Sequence, residues 1–141
     1  KLALAALEGT LTDYMTGRAA ELIPGWGMLN ASVDELQSKA QALLSRLTAI
    51  LPAGWRAAVV PTRSLAGGGS LPAVELAGYG VELVPEGRSA ARLERLLREN
   101  PIPVVALIRE EAMIFDVRCL RPGDDTILCE ALGRFVRRED R

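Results

Sequence analysis

Apolar residues recur at three-and-four spacing from the first turn of the chain. Leu4, Leu7, Leu11, Tyr14 or Met15, and Leu22 fall in one series with Arg18, which predicts an amphipathic helix over residues 2–22. Gly9 and Gly17 weaken that helix and Pro24-Gly25 ends it. Ser32 followed by Glu35 makes a capping box, and Val33, Leu36, Ala40, Leu43, Leu47 and Ile50 form the stripe of a second helix. Pro52 and Gly54 stop it. The period changes at Trp55. Ala57-Ala58-Val59-Val60 and Val81-Glu82-Leu83-Val84 read as short strands. Ser89 caps a third helix that runs through Glu99, with Leu93, Leu96 and Leu97 inward and Asn100-Pro101 as the stop.

Two β-rich runs follow, Val104 to Ile108 and Met113 to Val117, separated by Arg109-Glu110-Glu111-Ala112. Their spacing predicts an antiparallel hairpin, although Glu-Glu is poor chemistry for a primed turn. Met113, Phe115 and Val117 share one face of the second strand, and Asp116 and Arg118 point the other way. From Gly123 to Arg138 a closing helix carries Ile127, Ala131, Leu132, Phe135 and Val136 on one side. The expected fold is α+β, a short and mainly antiparallel sheet with helices, preceded by two long helices. The expected division is a helical segment over 1–54 and an α+β domain over 55–141.

Composition narrows the function classes. With 49% hydrophobic and 25% charged residues, the chain has the means to build a core. A net charge of −1 argues against a nucleic-acid binder with a broad basic face. There is no histidine, which removes the commonest general base and metal ligand, and the only lysines are Lys1 and Lys39. Cys119 and Cys129 lack metal-type spacing and read as buried small hydrophobes in a reduced, cytoplasmic protein. No apolar run is long enough to span a membrane. The chain starts inside a helical pattern, as a cut through a larger protein would.

The most unusual stretch is Gly67-Gly68-Gly69-Ser70-Leu71-Pro72. It fails as a phosphate loop because no Gly-Lys-Ser/Thr follows, and as a dinucleotide fingerprint because no helix start follows. A wide turn and a site-facing loop both stay open. Ser70 has no histidine or lysine near it in sequence to make it a nucleophile. Arg92, Arg95 and Arg98, interleaved with Glu94 and Glu99, read as a solvated helix face. Asp124-Asp125 reads as helix capping, not as a metal pair. No catalytic set is complete.

Three stretches, "KLALAALEGTLTDY", "VVPTRSLAGGGSLP" and "VVALIREEAMIFDVRCL", in that order, resemble the C-terminal part of the bacterial selenocysteine synthases, the L-seryl-tRNA(Sec) selenium transferases. The resemblance covers nearly the whole chain. It implies the small C-terminal domain of an aminotransferase-like, fold type I pyridoxal phosphate enzyme. Members of that family convert seryl-tRNA(Sec) with selenophosphate, and assemble as homo-oligomers built from dimers. They hold the cofactor on a lysine of the large domain, whose local motif does not occur here. The resemblance therefore implies no catalytic and no cofactor-binding residue in this chain, and no metal. It makes Arg63, Gly67, Gly68, Gly69 and Ser70 a candidate substrate-facing loop. Two alternatives stand beside it: the small domain of another fold type I enzyme, such as a sulfur-amino-acid lyase, and a free-standing ferredoxin-like regulatory module.

Overall fold

The computed structural model describes residues 1–66 and 74–139. It divides into two compact units, Lys1–Ser32 and Val33–Arg141. The first holds α1 (Leu2–Met15), α2 (Ala19–Leu22) and α3 (Pro24–Asn30). One continuous helix was expected over residues 2–22, and Gly17 is the reason it breaks. Its φ of +71° is left-handed, and the Arg18 amide reaches back to the Asp13 carbonyl at 2.9 Å while the Gly17 amide reaches Tyr14 at 3.2 Å. That is a Schellman ending, which satisfies carbonyls the helix would leave open. Pro24 then begins a helix where a stop was expected. It sits in the first turn of α3, where its missing N–H has no bond to lose.

The second unit holds α4 (Val33–Thr48), β1 (Arg56–Leu65), β2 (Glu75–Val84), α5 (Ala90–Arg98), β3 (Leu107–Arg109), β4 (Ala112–Asp116) and α6 (Asp124–Glu139). All neighbouring strands are antiparallel, in the order β1-β2-β4-β3. The architecture is α+β, as expected. The first compact unit ends at Ser32, so α4 belongs with the sheet. Leu36, Ala40, Leu43 and Leu47 of α4 are all buried, and α4 lies on β1 and β2. The stripe read from the sequence is thus part of the sheet's own core.

β1 and β2 each run ten residues, more than twice the length expected. Pro61 lies in β1, an edge strand, the kind of strand to which proline within a sheet is confined. In β2, Gly78 and Gly80 stand where side chains from neighbouring elements come close. A Cβ at Gly80 would lie 2.9 Å from the Phe115 carbonyl oxygen and 3.0 Å from Thr62 Cγ2. In β4 the run Ala112, Met113, Ile114, Phe115 is buried throughout. Successive strand residues face opposite ways, so both faces of this strand are covered. The one-sided alternation expected for it is corrected accordingly.

The turn between β3 and β4 is Glu110-Glu111, and Glu110 takes a left-handed φ of +54°. The hairpin thus forms despite a residue that pays a steric penalty there. Ser89 caps α5 as expected, its hydroxyl accepting from the Arg92 amide at 3.3 Å. In α6, Leu128 joins Ala131 and Leu132 in the core, while Ile127, Phe135 and Val136 are half-buried. No helix among the described residues is long and apolar enough to cross a membrane.

Candidate functional site

The β1–β2 hairpin carries the candidate loop. Gly67, Gly68, Gly69 and Ser70 lie outside the described residues, which reach Ala66 on one side and resume at Val74 on the other. Arg63 is described. Its Nη1 meets Glu75 Oε2 at 2.6 Å diagonally across the hairpin, two residues from its direct partner Ala77. Both side chains are mainly exposed, so the pair lies in high dielectric and contributes little to stability.

Behind the hairpin lies a polar cluster that the sequence did not reveal. Asp116, the last residue of β4, uses both carboxylate oxygens. Oδ2 accepts from the Ser64 hydroxyl at 2.6 Å, and Oδ1 accepts from the Arg118 amide at 2.9 Å. Arg118 is buried, and its Nη2 donates to the Ala77 carbonyl of β2 at 2.7 Å. β1, β2 and the 3-10 turn Val117–Cys119 are thereby tied together. Gly78 makes room for this: a Cβ there would meet Arg118 Nη2, Leu36 Cδ1 and Thr62 Oγ1, each at 3.3 Å. The Thr62 hydroxyl is buried with no hydrogen-bond partner among the described residues. The signal available in the sequence was Asp116 and Arg118 closing an otherwise apolar run. They were read as facing away from the core, and Arg118 lies within it.

The other candidates are placed singly. Arg98 bonds Glu94 along α5, its Nε donating at 3.0 Å to a carboxylate that is itself buried. Asp124 and Asp125 occupy the first turn of α6, where negative charge meets the helix dipole. Asp124 also accepts from the Arg121 amide at 2.9 Å, and Asp125 pairs with Arg46 of α4. Among the described residues no group of three potential ligands is gathered for a metal. Cys119 is exposed, which corrects its reading as a buried hydrophobe, because the 3-10 turn swings it outward. Its thiol is still pushed above the ordinary range, first by partial burial and then by Asp116, with Arg118 and Lys39 pulling the other way. Cys129 is raised too, chiefly by burial. Neither is an activated thiolate. An open groove of about 550 Å³ lies between the end of α5 and α6, bounded by Leu97, Asn100, Pro101, Phe135, Arg134 and Arg137.

A four-stranded antiparallel sheet with helices on it, and no complete catalytic set among its described residues, defines a small α+β domain. The family model described as SelA: L-seryl-tRNA selenium transferase matches residues 1–121. The L-seryl-tRNA(Sec) selenium transferase of Moorella thermoacetica is 40% identical over 133 residues, covering 94% of this chain and 28% of that protein. The protein of the same name from Caldanaerobacter subterraneus subsp. tengcongensis is 39% identical over 136 residues, 96% of this chain and 29% of its own. That from Geotalea uraniireducens is 38% identical over 138 residues, 97% of this chain and 30% of its own. The chain belongs to the L-seryl-tRNA selenium transferase family. It spans under a third of the length of these curated relatives and corresponds to their C-terminal part.

Proposed function

We propose that this chain is the small C-terminal domain of a pyridoxal phosphate-dependent L-seryl-tRNA(Sec) selenium transferase. The whole protein would convert seryl-tRNA(Sec) to selenocysteinyl-tRNA(Sec) with selenophosphate, in the cytoplasm and as a homo-oligomer. The observation that carries this reading is 40% identity sustained over 94% of the chain to a relative of that name.

The residues of this chain do not fit covalent attachment of the cofactor. Of its two lysines, Lys39 donates its Nζ to the Leu120 carbonyl on the exposed side of α4, and Lys1 is the exposed first residue. Neither lines the α5–α6 groove. The attachment lysine belongs, in this reading, to the part of the enzyme preceding Lys1. The role left to this domain is to present Arg63 and the candidate stretch Gly67 to Ser70 to the substrate. Ser64, Asp116 and Arg118 support that role by fixing the strands where they approach residues 67–73. Glycines permit close approach of another group to the main chain, which suits a bulky aminoacyl end.

Borohydride reduction of the cofactor-loaded full-length protein, followed by peptide mass mapping, tests the reading. The pyridoxyl group is expected on one lysine N-terminal to this chain. A stoichiometric adduct on Lys1 or Lys39 overturns the division of labour. A coding sequence that ends at this domain, with no larger domain before it, overturns the transferase reading in favour of a free-standing module.

A further inference from the structure

The β1–β2 hairpin reaches past the rest of its sheet. β1 and β2 pair over ten positions, Arg56↔Val84 to Leu65↔Glu75, whereas β2 and β4 pair over four, Gly80↔Asp116 to Leu83↔Met113. From Pro61↔Tyr79 to Leu65↔Glu75 the two strands therefore run on with no third strand among the described residues. A two-stranded hairpin is marginal in water by itself and needs a further strand or a helix to hold it. This projecting arm carries Arg63 and leads to the candidate stretch Gly67 to Ser70.

Two supports of different kinds reach the arm. Leu36 of α4 is buried beside Gly78, its Cδ1 3.3 Å from where a Cβ would stand, and an apolar contact of this kind fixes no direction. The other support comes from the end of β4 and the turn after it. Asp116 accepts from the Ser64 hydroxyl on β1 at 2.6 Å, and Arg118 Nη2 donates to the Ala77 carbonyl on β2 at 2.7 Å. Hydrogen bonds are directional, and one falls on each strand of the arm. β1 and β4 are not neighbours in the sheet, so the Ser64–Asp116 bond crosses above β2. Gly78 and Gly80, on one face of β2, carry no side chain to obstruct it. The Asp116 carboxylate also accepts from the Arg118 amide at 2.9 Å, which couples the two bonds.

We infer that Asp116 and Arg118 are positioning residues for the reaction, an inference that rests on the substrate-facing role proposed above for Arg63 and residues 67–70. They aim the arm, and through it those residues, at the substrate. Neither touches the substrate itself; each acts through one strand of the arm. A misplacement of about 1 Å at a reacting centre can cost about a hundredfold in rate. The signature of lost aim is a fall in kcat with KM kept, because the missing interaction is one realised in the transition state.

Steady-state conversion of seryl-tRNA(Sec) by the full-length, pyridoxal phosphate-loaded protein tests this, with amide hydrogen exchange read on the same samples. Ser64→Ala is expected to lower kcat about tenfold and to change KM for seryl-tRNA(Sec) less than about twofold. It is also expected to speed exchange over residues 62–65 and 75–79 but not over 57–60 and 81–83. Ser64→Thr keeps the hydroxyl and is expected to restore both. Leu132 is buried in α6, and Leu132→Val is expected to lower the thermal midpoint while kcat well below that midpoint stays unchanged, which separates aim from stability. Unaltered exchange over 62–65 and 75–79 in Ser64→Ala overturns the inference. So does an unaltered kcat in Ser64→Ala when Gly68→Val in the candidate stretch lowers it, and the substrate-facing reading then stands. If both variants keep full kcat, that reading falls and the positioning role falls with it.

Discussion

Asp116 holds two hydrogen bonds to groups that meet nowhere else, the Ser64 hydroxyl and the Arg118 amide. Asp116→Ala removes both and strands a half-buried hydroxyl and the first donor of a 3-10 turn. The expected loss is roughly 1.5–3 kcal/mol, the range for hydrogen bonds to a charged group, read as a fall in the urea midpoint. Asp116→Asn keeps an acceptor for one of the two bonds and is expected to lose less. An unchanged midpoint for the alanine variant would show that the cluster does not hold the strands together. Gly80 makes a second, purely steric case. A methyl group there would stand 2.9 Å from backbone oxygen and 3.0–3.1 Å from two branched methyls, whereas at Gly78 the nearest atoms are at 3.3 Å. Gly80→Ala is therefore expected to destabilise by about 1–3 kcal/mol and Gly78→Ala by less. Equal thermal unfolding of the two variants would contradict the contacts.

Helices whose caps and stripes are local were legible from sequence, as α4, α5 and α6 show. Ser89, Leu93 and Leu97 specify α5 within nine residues of one another. The strands were less so. Pro61 and Arg63 interrupt β1, and Gly78 and Gly80 interrupt β2, so only a four-residue stretch of each stood out. What restores their length is the pairing itself, Thr62 with Gly78 and Val60 with Gly80, with the Thr62 side chain close to both glycines. The Ser64–Asp116 bond joins residues 52 apart and leaves no local signature. An apolar stripe likewise announces burial but not its partner. For α4 that partner is the sheet. A fragment of residues 33–141 is expected to give a cooperative thermal transition by circular dichroism. One of residues 55–141, which lacks Leu36, Ala40, Leu43 and Leu47, is expected to give none. A cooperative transition in the shorter fragment would return the boundary to residue 54.

At the scale of the whole molecule, the sequence pattern yielded the fold class, while three ordered stretches pointed to the family. The structure adds a hairpin whose strands are tied near residues 67–73 by Ser64, Asp116 and Arg118, with Arg63 paired to Glu75 there. In the function proposed above, such a domain would shape a site that another part of the protein supplies. The most direct measurement is conversion of seryl-tRNA(Sec) by the full-length, pyridoxal phosphate-loaded protein in the presence of selenophosphate, followed as labelled selenium entering aminoacyl-tRNA. Selenocysteinyl-tRNA(Sec) is expected from the full-length protein and not from a folded, cofactor-loaded protein that ends before Val33. Equal conversion by the shortened protein would contradict the role assigned to this domain, and no conversion by the intact one would contradict the function.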